Sequence, residues 1–158
     1  MVTVTKDYEV CYAHRLLNHN GKCQRLHGHN GKVAVSLEGA INKDNRAPDH
    51  GMVLDFGEID NHIGRWINDT FDHRTILEAD DPLISALLDY YEDSSLVVIS
   101  QPPTAEVLST LIHQKVIEFY GEYILHCSVK FWETPKACAY VDDSSQDNEY
   151  SIPVEVLF

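Results

Sequence analysis

The order of its hydrophobic periodicities constrains this chain more than any other feature. Residues 2–11 roughly alternate and are rich in Val, Thr and Tyr; residues 32–41 alternate again, with Val33, Val35 and Leu37 on one side. Both read as strands, framing a polar loop over residues 14–30. Ile59, Ile63, Trp66 and Ile67 then recur at helical spacing, and residues 83–91 add a short helix. A brief strand over residues 96–99 ends at Pro102 and Pro103. Thr104 caps the next helix, whose apolar stripe is Val107, Leu108, Leu111, Ile112 and Phe119. Residues 124–133 and 137–141 read as the last two strands, broken at Pro135. The order β-β-α-(α)-α-β-β lacks βαβ alternation, which predicts an α+β fold with an antiparallel sheet and helices on one face.

A chain of 158 residues with 44% hydrophobic content can bury one real core and is short for two domains. The expected organisation is one domain over residues 1–141, then an acidic linker and an apolar tail over residues 142–158. The tail is expected to pack against something. No run approaches the ~18 apolar residues of a spanning helix, so no membrane partner is expected. The start, MVTVTKDYEV, is neither a signal nor a transit peptide, and the expected compartment is the cytoplasm. A net charge of −13 argues against a nucleic-acid partner. From Val10 to Leu37, however, there is no acid, while Arg15, Lys22, Arg25 and Lys32 give +4. Such a window suits an anion.

Four cysteines stand at 11, 23, 127 and 138, without a C-x-x-C pair. Disulfides are not expected. Cys11, Cys127 and Cys138 lie in apolar segments and read as buried, whereas Cys23 lies in the basic loop. The sharpest local feature is Cys23-Gln-Arg-Leu-His27-Gly-His29. Two histidines at i, i+2 in extended chain face the same way and can share one metal, with His14 as the third ligand. Cys23 could serve as a thiolate base or as a fourth, closing ligand. Asp72 beside His73 suits a group that orients an imidazole. Glu133 falls on the inward side with Val129 and Phe131, where a carboxylate needs a partner. It could accept two N–H bonds from a planar heterocycle.

Six elements in order now resemble one family. They are Ala13-His14-Arg15-Leu16, Cys23-x₃-His27-Gly-His29, Gly51-Met-Val-Leu-Asp55-Phe56, Asp72-His73, Pro103-Thr104-x-Glu106 and Glu133-Thr134. Together they resemble the 6-pyruvoyltetrahydropterin synthase / 6-carboxytetrahydropterin synthase family over about residues 5–141. The resemblance implies the tunnelling (T) fold, an antiparallel four-stranded sheet with two main helices on one face. It implies trimers closing into a barrel and a homo-hexamer built as a dimer of trimers. It also implies Zn²⁺ on His14, His27 and His29, Cys23 as catalytic base, and Asp72 and His73 as its relay. Glu133 would anchor the pterin edge, with Thr104 and Glu106 nearby and Arg25 on the substrate. The active site would lie between subunits, with zinc and Cys23 from one chain and Glu133 from another.

The implied substrate is 7,8-dihydroneopterin triphosphate, a ligand that the basic window suits. Three residues separate Cys23 from the His-Gly-His motif. That spacing is similar to the carboxy branch of queuosine and 7-deazaguanine biosynthesis, a carbon–carbon lyase releasing acetaldehyde. The rival readings are the pyruvoyl branch, a carbon–oxygen lyase acting on phosphate; a three-histidine zinc hydrolase; and a zinc-stabilised module with no activity. The chain departs from the family at Val10, usually aromatic, at Tyr12, usually small, and at Asn30-Gly31, usually His-x-aromatic. Residues 78–100 are longer than in compact members.

Overall fold

The computed structural model describes residues 1–90, 95–145 and 152–157. Strands β1 (Val2–His14) and β2 (His27–Gly39) pair antiparallel along their full lengths, from Val2 opposite Gly39 to His14 opposite His27. Strand β5 (His126–Thr134) pairs antiparallel with β2, and β6 (Ala137–Asp142) with β5. On the other flank lie β3 (Arg74–Glu78), β4 (Leu96–Ile99) and β7 (Val154–Leu157), giving one sheet in the order β6-β5-β2-β1-β3-β4-β7.

The antiparallel four-stranded expectation is therefore too small. The five strand segments read from the sequence all exist, but β3 runs parallel to β1, and β4 parallel to β3. Arg74–Glu78 (RTILE) carries neither an alternation nor a continuous apolar run, since its two apolar residues, Ile76 and Leu77, are adjacent and both buried. Its parallel pairing depends on the helical crossover that precedes it. The apolar tail also joins the sheet: Val154–Leu157 pairs antiparallel with β4. Residues 146–151, most of the expected linker, lie outside the described residues. Asp142 ends β6 and Asp143 opens a 3₁₀ turn, so ordered chain runs past 141.

Two helical layers cover one face of the sheet. The first runs from α1 (Phe56–Ile59) through a π-helical turn (Asp60–Gly64) into α2 (Arg65–Phe71). Asp55 caps it by accepting from the Gly57 N–H at 2.6 Å. The second is α4 (Ala105–Tyr120), capped by Thr104 and packed on β5 and β6. The short α3 (Leu83–Leu88) follows β3. Ile59, Ile63, Ile67, Leu108, Ile112 and Val116 meet Val10, Val33, Val35, Leu37, Val129 and Phe131 in one core. Burying each such side chain is worth about 1.5–3 kcal/mol.

The opposite face is polar, as the period of two demands. Thr5 bonds Ser36 at 2.9 Å and Lys32 pairs with Asp7 at 2.8 Å. Cys11 and Cys138 lie opposite Asn30 and Trp132 on this face, so both are exposed rather than buried; only Cys127 follows the expectation. Along β1, strand β3 pairs only with Tyr12, Ala13 and His14, so the earlier part of β1 has one strand neighbour among the described residues. The outer strands of the sheet are β6 and β7.

Candidate metal and pterin site

Strand β1 runs to His14 and β2 starts at His27, so all three histidines sit on paired strands rather than in a loop. His14 faces His27 directly, and His29 faces Tyr12. Directly opposed residues share a face, and His29 lies two residues beyond His27. The three rings therefore converge on the core side, with centroids 4.7, 4.8 and 5.1 Å apart. One ligand atom from each lies within 4.8 Å of the others.

Backbone carbonyls set two of the rings. His14 Nδ1 donates to the Pro103 carbonyl at 2.7 Å, and His27 Nδ1 to the Arg25 carbonyl at 2.7 Å. Each ring thus keeps the lone pair of Nε2 for a ligand, the usual outer support of a metal-bound imidazole. His14 Nε2 and His29 Nε2 are buried without hydrogen-bond partners. Burial also lowers the pKa of both rings below the ordinary histidine value, favouring the neutral form a metal needs. These features fit a bound cation.

Glu133 reaches this point. A register irregularity between Trp132 and Thr134 interrupts the β5–β6 ladder at Glu133. Its Oε1 lies 3.5 Å from His14 Nε2 and 3.7 Å from His29 Nε2. The expectation that another chain supplies Glu133 is corrected here: it stands beside the histidines of its own chain. Cys23 lies in a 3₁₀ turn (Lys22–Gln24), partly exposed, and its sulfur does not join the histidine cluster.

The single chain does not join Asp72 and His73 to Cys23 by any hydrogen bond among the described residues. The dyad docks on Cys11 instead: Asp72 Oδ1 accepts from the Cys11 N–H at 2.8 Å, and the His73 N–H donates to the Cys11 carbonyl at 2.6 Å. Asp72 Oδ2 holds His73 Nδ1 at 2.8 Å. Although burial opposes it, these donors keep the Asp72 carboxyl below its usual range. His73 takes φ 58°, a left-handed conformation uncommon for a residue with a side chain. Its ring, 81% exposed, borders a cavity of about 350 Å³ shared with Cys11, Gly28 and Asn30.

Thr104 is the helix cap and Glu106 is exposed in the first turn. Of the four basic residues, Arg15 is committed to buried Asp81 by a two-pronged ion pair, and Lys32 to Asp7. Lys22 and Arg25 remain exposed without a carboxylate partner among the described residues. The basic window therefore offers fewer free cations than its composition suggests.

Tyr12 and the Pro103 carbonyl were not singled out as site groups. Tyr12 is 4% exposed, and its ring touches those of His14 and His29 at centroid distances of 5.2 and 5.7 Å. Burial, with the Glu133 charge second, raises its pKa well above the ordinary phenol value. The signal available was Tyr12 itself, bulky where the family is small.

A second group, His113, Cys127 and Asp143, has a different character. Asp143 accepts from the Cys127 N–H at 2.8 Å and from the thiol at 3.2 Å, and it holds His113 Nε2 at 3.0 Å and His126 Nδ1 at 2.8 Å. Burial and the Asp143 carboxylate raise the thiol's pKa, so it stays protonated. Each group here already has a partner, and the cluster ties the turn after β6 to α4.

An α+β sheet whose long hairpin brings His14, His27 and His29 within reach of one cation defines a candidate metal site. The chain belongs to the 6-pyruvoyl tetrahydropterin synthase family, which it matches over residues 3–144. It is 36% identical over 126 residues to a probable 6-carboxy-5,6,7,8-tetrahydropterin synthase of Halobacterium salinarum, covering 80% of this chain and 77% of that one. It is 31% identical over 137 residues to the 6-carboxy-5,6,7,8-tetrahydropterin synthase of Rickettsia felis, covering 85% and 96%. The crystal structure of a Wolinella succinogenes protein superposes with a TM-score of 0.74 at 27% identity, covering 90% and 98%. Among the described residues no helix is long and apolar enough to cross a membrane.

Proposed function

We propose that this chain is a zinc-dependent 6-carboxy-5,6,7,8-tetrahydropterin synthase. It acts on 7,8-dihydroneopterin triphosphate, consumes water, and releases acetaldehyde and triphosphate for queuosine and other 7-deazaguanine products. The observation that carries this reading is the convergence of His14, His27 and His29, with Nε2 of His14 and His29 buried without hydrogen-bond partners, in a chain whose relatives bear that name. The three-residue spacing between Cys23 and His27 supports the carboxy product over the pyruvoyl one.

Zinc bound there would polarise the hydroxyls of the substrate's side chain and acidify the adjacent C–H. Cys23 takes that proton as thiolate, and His73, oriented by Asp72, carries it onward. Glu133 accepts N–H bonds from the pterin edge and fixes the ring beside the histidines. Thr104 and Glu106 border that edge, and Arg25 meets the triphosphate. Because His73 and Cys23 are not joined in one chain, the relay is completed by a neighbouring subunit of a dimer-of-trimers hexamer. Its barrel is assembled through the strand edges. Residues 1–141 carry this chemistry.

That the sulfur of Cys23 stays outside the histidine cluster favours this reading over a closed Cys-His₃ structural site. Incubating zinc-loaded protein with 7,8-dihydroneopterin triphosphate should yield 6-carboxytetrahydropterin and acetaldehyde in equal amounts. A pyruvoyl product without acetaldehyde would assign the chain to the other branch, and no turnover would overturn the enzyme reading.

A further inference from the structure

Three buried side-chain polar atoms among the described residues lack a hydrogen-bond partner: Tyr12 OH, His14 Nε2 and His29 Nε2. All belong to one constellation, since Tyr12 lies in ring contact with both histidines. A cation accounts for the two nitrogens. It does not account for the phenol oxygen, a third buried atom with no hydrogen-bond partner of its own. Leaving a buried hydroxyl unpaired forfeits its hydration with nothing gained in return. Phenylalanine would fill the same space without that cost.

The space itself is made for this ring. Tyr12 lies over Gly31, where an added Cβ would come within 3.1 Å of Tyr12 Cε1 and 3.1 Å of the Trp132 carbonyl. The bulk missing from β2 at Gly31 is supplied from β1 by Tyr12. The ring edge packs on Phe131 at a centroid distance of 5.7 Å. Shape therefore explains an aromatic residue at position 12, but not its oxygen.

We propose that Tyr12 is a specificity-determining residue whose hydroxyl hydrogen-bonds an oxygen of the bound substrate's side chain, beside the metal position. This rests on the functional reading above, in which the metal holds the side-chain oxygens and Glu133, beside the histidines, accepts from the N–H groups of the ring. Tyr12 borders the metal position as the cross-strand partner of His29 and in ring contact with both His14 and His29. The site then discriminates by loss: a pterin without side-chain oxygens leaves the phenol unpaired, whereas a polyol side chain satisfies it.

The test compares wild-type and Tyr12→Phe protein, both zinc-loaded, for binding of neopterin, which carries a trihydroxypropyl side chain, and of 6-methylpterin, which carries none. Tyr12→Phe should weaken neopterin about five- to tenfold, the scale of one neutral hydrogen bond, and leave 6-methylpterin unchanged. Zinc content should stay the same, and the metal-free variant should melt no lower than the wild type, because the unpaired oxygen is gone. Unchanged affinity for both ligands would overturn the proposal. So would equal weakening of both, which would put the contact on the ring, or loss of zinc, which would make Tyr12 a support of the metal. Wild-type protein that binds neither pterin would overturn the functional reading itself, and this proposal with it.

Discussion

His14 and His27 stand directly opposite each other where β1 and β2 flank the loop, their rings 4.7 Å apart and each held at Nδ1 by a backbone carbonyl. Neither carbonyl belongs to the paired strands: one precedes α4 and the other ends the loop. The ligand geometry is thus fixed by three separate parts of the chain, and removing one imidazole leaves the others in place.

His27→Ala or His29→Ala should therefore lose zinc and activity together while keeping the fold. A site left with two imidazoles falls below the three protein ligands typical of catalytic zinc. Metal analysis after gel filtration, with circular dichroism as the fold control, checks this. Full zinc content in either variant would remove that residue from the ligand set.

Cys23→Ala should behave differently. Its sulfur is outside the histidine cluster, so zinc content should be normal, while turnover falls about 10²-fold or more, the scale of a lost general base. Loss of zinc in this variant would instead make Cys23 a ligand.

Subunit mixing tests the relay. Glu133 stands beside its own chain's histidines, so the informative pair is Cys23→Ala with His73→Ala. Dissociated, mixed and reassembled, these two inactive proteins should regain part of the wild-type activity, and sedimentation should show a hexamer. A fully active monomer would remove the shared site.

Asp81 gives a pH prediction. Its buried carboxylate accepts from both arms of Arg15 and from the Leu83 N–H at 2.8 Å. Burial alone would raise its pKa, but these donors hold it below the unfolded value of 3.8. The folded state therefore binds fewer protons there. The contribution is fully present above pH 3.8 and is lost as pH falls through the lower folded value. Asp81→Ala, which strands Arg15, should destabilise the protein by roughly 3 kcal/mol. Urea denaturation at pH 7 measures this, and at sufficiently low pH the difference from wild type should shrink.

The histidine cluster was legible in the sequence because histidines at two-residue spacing around Gly28 can be read without knowing the fold. The strands that carry them were less so. Inward positions 12, 14, 27 and 29 hold Tyr and His where a core-facing strand would show aliphatic residues, so the alternation seemed to stop at residue 11 and resume at 32. The ligands hid their own strands. β3 and β7 escaped for another reason, since their pairing partners are distant in sequence and no local pattern announces them. Asp143 read as linker because its partners, His113, His126 and Cys127, lie on other elements.

The β1–β2 register bears on how the hairpin forms. A slip by one residue would leave Tyr12 and His14 on one face and turn His27 and His29 to the other. Hairpins usually guard against such slips with a tight turn of two to five residues, but residues 15–26 are too long a loop to dictate register. A metal ion gripping His14 and His27 across the base of that loop would do the work of the missing turn. Only the native alignment presents its three donors at once, so the ion would also proofread the pairing it fastens.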